Sequence, residues 1–139
     1  VKLFYDQWKH ERLVVDKWFS TQVLTAHPNF LTKVVKNLTT HPDFTIKTPN
    51  RVRSVLGAFS ANTAGFHLET GENYKLFCDW ILKVDPVNPQ VGARMCSAFE
   101  TWKRYDPKRQ QLIKLQINRV LGTGSVSKDT REMLTRLIN

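Results

Sequence analysis

Apolar side chains recur at the spacing of an α-helix along almost the whole chain, and this pattern is the strongest constraint on its fold. After Pro49, for example, Val52, Val55, Leu56 and Phe59 occupy positions i, i+3, i+4 and i+7 of a single helical face. No segment alternates convincingly between apolar and polar residues, and neither Asn-Gly nor Asp-Gly, the usual hairpin turns, occurs. The pattern therefore predicts an all-α chain.

Proline, glycine and capping residues divide this pattern into roughly seven or eight short helices with brief connections. We expect helical segments over residues 2–24 (with a break near Arg12 as an open alternative), 30–38, 49–59, 72–84, 89–102, 107–121 and 127–138. Residues 60–71 are expected to form a polar loop that holds Phe66 and His67. Short connections favour antiparallel packing of successive helices. The length of 139 residues suits one domain over residues 1–139, with the architecture of either an irregular α-solenoid or a closed bundle.

The side chains expected in the core share the inner stripe of these helices. They are Val15, Trp18, Phe19, Phe30, Leu31, Val34, Val35, Leu38, Val52, Val55, Leu56, Phe59, Tyr74, Phe77, Cys78, Ile81, Leu82, Val91, Met95, Ala98, Trp102, Ile113, Ile117, Val120, Leu121, Met133, Leu134, Leu137 and Ile138.

The chain is basic, with a net charge of +9 over 139 residues. Such an excess favours anionic partners, although a solvated surface also explains it, since the basic residues are spread along the chain. No apolar run approaches the roughly 20 residues of a membrane span, so we expect no membrane contact. Two cysteines cannot build a disulfide framework, which favours a reducing, cytoplasmic location.

Motifs that would carry catalysis or bind a metal are incomplete. His10-Glu11 begins like a zinc-protease signature, but Val14 stands where the second histidine is needed. Gly122-Thr123-Gly124-Ser125 lacks the lysine of a phosphate loop. Cys78 and Cys96 fall on or near apolar faces, as small core residues do. We therefore expect no catalytic residue, cofactor or metal in this segment.

Two helix starts carry arginines on polar faces: Thr48-Pro49-Asn50-Arg51-Val52-Arg53 and Asn88-Pro89-Gln90-Val91-Gly92-Ala93-Arg94. In each, a Thr or Asn precedes proline and is able to cap the exposed N–H groups. Gln90 and Arg94 are four residues apart and therefore share one helix face. Asn50 and Arg53, three residues apart, are expected to share a face in the same way. Arginine near a helix start suits a carboxylate or phosphate, but pairing with acidic side chains or solvation is the open alternative.

Aromatic and basic residues are mixed from Trp102 to Gln110. This segment could stack on bases and bind phosphates, as in a module that binds nucleic acid. The pattern favours a joint between helices instead, in which Trp102 packs inward, Asp106 caps and Pro107 starts the next helix.

Several ordered motifs together resemble the C-terminal helical domain of aminopeptidase N, of the bacterial-type zinc-dependent branch. The resemblance is carried by Phe4-Tyr5 with Trp8, by residues 13–19, by Pro49-Asn50-Arg51-Val52-Arg53-Ser54, by Phe66-His67, by Asn88-Pro89-Gln90-Val91 with Arg94, and by Lys103-Arg104-Tyr105-Asp106 with Arg109-Gln110. Thr63 and Asn73, in the loop between two helices, depart from the family, which often has Pro and Gly at these positions.

The resemblance implies a two-layered, right-handed superhelix of ARM- or HEAT-like helices that closes the substrate chamber of a larger enzyme. Zinc and the catalytic residues would lie in a catalytic domain of the same polypeptide, whose substrates would be peptides. By this resemblance Arg53, Gln90 and Arg94 would line the chamber, where they can meet the distal end or carboxylate of a substrate. A basic helical-repeat module that binds nucleic acid or an acidic protein remains the alternative.

Overall fold

The computed structural model describes residues 12–139, and all regular structure within that range is helical, without a strand. The prediction of an all-α chain is thus confirmed. The start of the first expected helix, with Phe4, Trp8 and the His10-Glu11 motif, lies outside the described residues. The chain divides into two compact units, one ending at Phe66 and the other running from His67 to Asn139.

Unit one contains two helices and a longer interrupted one. Helix α1 covers Arg12–Thr25 and helix α2 covers Leu31–Thr39. The third begins as α3 (Pro49–Val52), continues through a π-helical turn (Arg53–Gly57) and ends as α4 (Ala58–Ala61). A further turn, α5 (Thr63–Phe66), follows, so the expected loop over residues 60–71 is partly helical.

Unit two contains four helices of more than one turn among the described residues. They are α6 (Glu72–Val84), α7 (Pro89–Met95), α8 (Pro107–Leu121) and α9 (Lys128–Ile138). Two 3₁₀ turns, Cys96–Phe99 and Trp102–Arg104, connect α7 to α8. The single helix expected over residues 89–102 is therefore wrong, because its regular α-helical part ends at Met95.

Three of the helix starts in unit two are capped as the sequence predicts. The side chain of Asn88 accepts the N–H of Val91 at 3.2 Å, that of Asp106 accepts the N–H of Arg109 at 3.2 Å, and that of Ser127 accepts the N–H of Thr130 at 3.3 Å. Each bond satisfies a donor that the first helical turn leaves open.

Thr48 behaves differently from these three residues. Its side chain makes no capping bond to the described part of α3, so the expectation that Thr48 caps that helix is wrong. The carbonyl of Thr48 instead accepts the N–H groups of Arg51 and Val52, and Pro49 supplies the first helical position.

The core of each unit follows the predicted stripes closely. All four side chains on the inner face after Pro49 are at most 1% exposed. Phe30 is the main error, because it precedes α2 rather than joining its stripe and is 62% exposed. Phe66, placed in a loop, is fully buried, and Phe99 is a core residue missing from the predicted set, whereas Cys96 is buried as its apolar position predicted.

Candidate functional site

The helix that begins at Pro49 carries two arginines in opposite environments. Arg51 is buried, with Nε 2.6 Å from Asp16 Oδ1 on α1, and its guanidinium also donates to the carbonyl of Asp43. Arg53 is exposed and donates to Asn50 Oδ1 at 2.5 Å. Only Arg53 therefore presents its guanidinium to an approaching ligand, while Arg51 holds α1 to this helix.

Arg53 lines an open hollow of about 410 Å³ in unit one. The wall is formed by side chains of α1 and of the helix after Pro49: Leu13, Asp16, Lys17, Ser20, Asn50, Arg53 and Ser54. Since the Asp16 carboxylate is bound by Arg51, the positive charges of Lys17 and Arg53 dominate the hollow. Such a surface suits a carboxylate or another anionic group.

Gln90 and Arg94 lie on the exposed side of α7 in unit two. Val91, Gly92 and Met95 form the buried side of the same helix. Within the described residues, neither the Gln90 amide nor the Arg94 guanidinium has a hydrogen-bond partner or an ion pair. The predicted polar face thus exists, and its two functional groups are available to a ligand.

The buried side of α7 rests on a carboxylate that the sequence analysis did not single out. Asp85 is 1% exposed and accepts three hydrogen bonds from the start of α9. The sequence marks Asp85-Pro86 only as the end of a helix. Its partners, Ser127 and Thr130, are more than 40 residues away, and no local pattern indicates them.

A cluster of titratable groups surrounds His67 in unit two. A hydrogen bond of 2.7 Å joins His67 Nδ1 and Tyr74 Oη, and the imidazole stacks on Tyr105 with 4.0 Å between ring centroids. Burial, followed by the nearby Arg109 cation, lowers the pKa of His67 to about 4, and burial raises the pKa of Tyr74 to about 12. Both groups are therefore neutral near pH 7 and act as structural partners.

Arg109 ties this cluster to the start of α8. Its Nε donates to the carbonyl of His67 at 2.7 Å, and its Nη1 lies 2.7 Å from Asp106 Oδ1. Trp102 is buried and donates from Nε1 to the carbonyl of Leu137 at 2.8 Å. The segment from Trp102 to Gln110 is therefore a joint between helices, as its pattern favoured.

Neither cysteine has the surroundings of a nucleophile. Cys78 and Cys96 are both free and buried, and burial raises the pKa of each thiol, for Cys96 to about 12. In residues 12–139 no group of three or more His, Cys, Asp or Glu side chains could hold a metal ion. Over the same range, every helix is too short or too polar to cross a bilayer.

Known proteins are similar in sequence to this chain over almost its whole length. Aminopeptidase N of Caulobacter vibrioides is 37% identical over 136 residues, and that of Escherichia coli is 36% identical over 134 residues. These alignments cover 97% and 96% of this chain but only 16% and 15% of the relatives. The chain therefore spans about a sixth of the length of the proteins that it matches.

A solved structure shows the same fold. Legionella pneumophila aminopeptidase A, in a complex with aspartic acid, matches with a TM-score of 0.92 and 34% identity over 99% of this chain and 16% of its own. The model of a domain of unknown function, DUF3458_C, described as ARM repeats, matches residues 1–139. ARM repeats stack helices into a solenoid, which agrees with the expected helical superhelix rather than a closed bundle. The chain belongs to this DUF3458_C family of ARM-repeat domains and is similar to the C-terminal helical domain of aminopeptidase N.

Proposed function

We propose that this chain acts as the non-catalytic C-terminal domain of a zinc-dependent aminopeptidase N, where it closes the substrate chamber and controls the access of peptides to the active site. The observation that carries the proposal is the similarity to aminopeptidases over nearly the whole chain. The geometry supports it, because Arg53, Gln90 and Arg94 are all exposed.

The chemistry would belong to another part of the same polypeptide. A catalytic domain outside this chain would hold the zinc ion and cleave the N-terminal residue of a peptide in the cytoplasm. This chain would supply binding groups for the remainder of the peptide. An arginine matches a carboxylate with two parallel hydrogen bonds, so Arg94 and Arg53 suit a peptide's C-terminal carboxylate or its acidic side chains.

The test is the replacement Arg94→Ala in the full-length aminopeptidase. Because a short chromogenic substrate ends close to the scissile bond, its KM should stay within about twofold. The KM of a peptide of eight to ten residues should rise by about tenfold, which corresponds to about 1.4 kcal/mol of lost binding. Steady-state kinetics on both substrates measures the difference.

Arg104→Ala is the matched control, since it removes one exposed positive charge from unit two that is not part of α7. It should leave both KM values unchanged. If Arg94→Ala changes the two substrates equally, Arg94 is not on the path of the peptide and the proposal fails for this face of α7.

A further inference from the structure

Asp85 places a buried carboxylate where three helices of unit two meet. It ends α6, and its side chain points at the first turn of α9. Oδ2 accepts the N–H of Ser127 at 2.7 Å, and Oδ1 accepts the hydroxyls of Ser127 and Thr130, both at 2.6 Å. Both carboxylate oxygens are thus bound, and the negative charge lies at the positive end of the α9 dipole.

The third helix at this junction is α7, which approaches Asp85 through Gly92. A Cβ atom on residue 92 would lie 2.7 Å from Asp85 Oδ1 and 3.0 Å from its Cα and Cβ atoms. Contacts this close are not sustained, so any larger residue would push α7 away from Asp85. Glycine is therefore needed here for close packing rather than for an unusual backbone conformation.

Gly92 stands midway between Gln90 and Arg94 in the sequence. Two residues correspond to about 200° around an α-helix, so both functional side chains point away from the side that rests on Asp85. A shift of α7 relative to Asp85 would move these two side chains together, because they are fixed to one short helix.

We propose that Asp85 is a positioning residue that fixes the Gln90 and Arg94 face for peptide binding by holding α7 through Gly92 and α9 through Ser127 and Thr130. The inference rests on the proposed function of that face. Asp85 touches no substrate itself and acts only through the placement of α7. A displacement of about 1 Å in a binding group is enough to weaken a directional contact such as an arginine–carboxylate pair.

The experiment uses the full-length aminopeptidase and compares the long peptide with the short chromogenic substrate. Asp85→Ala should raise the KM of the long peptide by about as much as Arg94→Ala, roughly tenfold, and leave the short substrate within about twofold. Asp85→Asn should recover part of the loss, because an amide oxygen can still accept the two hydroxyl groups.

A double variant separates positioning from general loss of structure. Asp85→Ala with Arg94→Ala should raise the KM of the long peptide by less than the product of the two single effects, because both changes weaken the contact of Arg94. Gly92→Ala disturbs the junction from the other helix and should reproduce the effect of Asp85→Ala. It also replaces Asp85→Ala in the test if that variant fails to fold.

Asp79→Asn is the control, since it breaks the Arg119–Asp79 ion pair between α6 and α8 without touching α7. It should leave the long-peptide KM unchanged. The inference is overturned if Arg94→Ala weakens the long peptide while Gly92→Ala and Asp85→Ala do not, or if the double variant is additive. If Arg94→Ala itself has no selective effect, the proposed function of this face of α7 fails, and the inference fails with it.

Discussion

At the scale of single residues, the two arginines after Pro49 show what local sequence contains and what it omits. The i, i+3 spacing of Asn50 and Arg53 predicted that both side chains lie on one polar face. In the structure they do, and Arg53 donates a hydrogen bond to Asn50 Oδ1. Nothing near Arg51 indicated that it would be buried against Asp16, which lies 35 positions earlier. Periodicity reports which face of a helix is polar but does not report ion pairs between distant segments.

Replacing Arg51 should therefore destabilise the chain strongly. Arg51→Ala leaves the Asp16 carboxylate in a site where its Oδ2 atom already has no hydrogen-bond partner within the described residues. Removal of one member of a buried ion pair typically lowers the free energy of unfolding by about 3–5 kcal/mol. Urea denaturation of the 139-residue chain, followed by circular dichroism, measures the change.

The neighbouring Arg53→Ala is the matched control, since Arg53 is exposed and bonded only within its own helical turn among the described residues. Its effect should stay within about 0.5 kcal/mol. If the two variants lost equal amounts of unfolding free energy, the Arg51–Asp16 pair would make no specific contribution to stability.

His67 gives the chain a pH-dependent stability with a definite sign. Its pKa is about 4 in the fold and about 6.5 in an unfolded chain. Between these values the unfolded chain binds a proton that the folded chain does not, so stability falls as the pH falls from 6.5 to 4. His67→Gln should make the free energy of unfolding less dependent on pH over this window.

The measurement is a series of urea denaturations of the wild type and the variant from pH 4 to pH 7. The difference in the free energy of unfolding between wild type and variant at each pH gives the contribution of His67, because the carboxyl groups that titrate in the same range are common to both chains. An NMR titration that placed the pKa of His67 near 6.5 would contradict the assignment.

At the scale of elements, the sequence predicted most helices because their signals are local. Asn88, Asp106 and Ser127 each stand directly before a helix, and their side chains make the expected caps. The burial of Phe99 could also have been predicted, since it follows the core residue Met95 by four positions. Helix α5 could not have been predicted, because a single turn is too short to show a helical period.

The π-helical turn Arg53–Gly57 has no sequence signal that we recognise, yet its glycine permits a sharp prediction. A Cβ atom on Gly57 would meet only Arg53 Cβ, at 3.7 Å, and the residue is exposed. Gly57→Ala should therefore raise the free energy of unfolding by about 0.5–1 kcal/mol, because alanine has less freedom to lose in the unfolded chain.

Gly65→Ala is the contrasting substitution in the same unit. Its Cβ atom would lie 2.5 Å from Leu31 Cδ2 and 3.3 Å from the backbone of Pro28, so the fold should lose about 1–3 kcal/mol. Urea midpoints of both variants test the pair. A loss of stability in Gly57→Ala would mean that the π-helical turn itself requires glycine.

At the scale of the whole chain, the predicted site residues were placed on exposed faces correctly, but their surroundings were not predictable. Local periodicity is enough to show that Arg53, Gln90 and Arg94 lie off the core. The hollow at Arg53 also needs α1, and the junction under Gly92 needs α9. Both depend on packing between segments tens of residues apart, which no local pattern encodes.

The net charge of +9 remains the main argument for nucleic acid as a partner. Three basic side chains are bound internally, because Arg51, Arg109 and Arg119 pair with Asp16, Asp106 and Asp79, although these neutral pairs leave the net charge unchanged. The aromatic rings of the segment from Trp102 to Gln110 are also occupied, since Trp102 is buried and Tyr105 stacks on His67. The basic side chains of this segment can therefore attract phosphates only without stacking contacts from Trp102 or Tyr105.

We therefore expect weak and purely electrostatic binding of nucleic acid. Fluorescence anisotropy with a labelled single-stranded RNA should give a dissociation constant no tighter than about 10⁻⁴ to 10⁻⁶ M near physiological salt, and the affinity should fall steeply as salt is raised, because counterions compete for the phosphates. A tight complex that persists at about 150 mM salt and is lost in Tyr105→Ala would overturn this expectation. Stacking by Tyr105 would require it to leave His67, and the chain would then be a nucleic-acid module rather than a chamber domain.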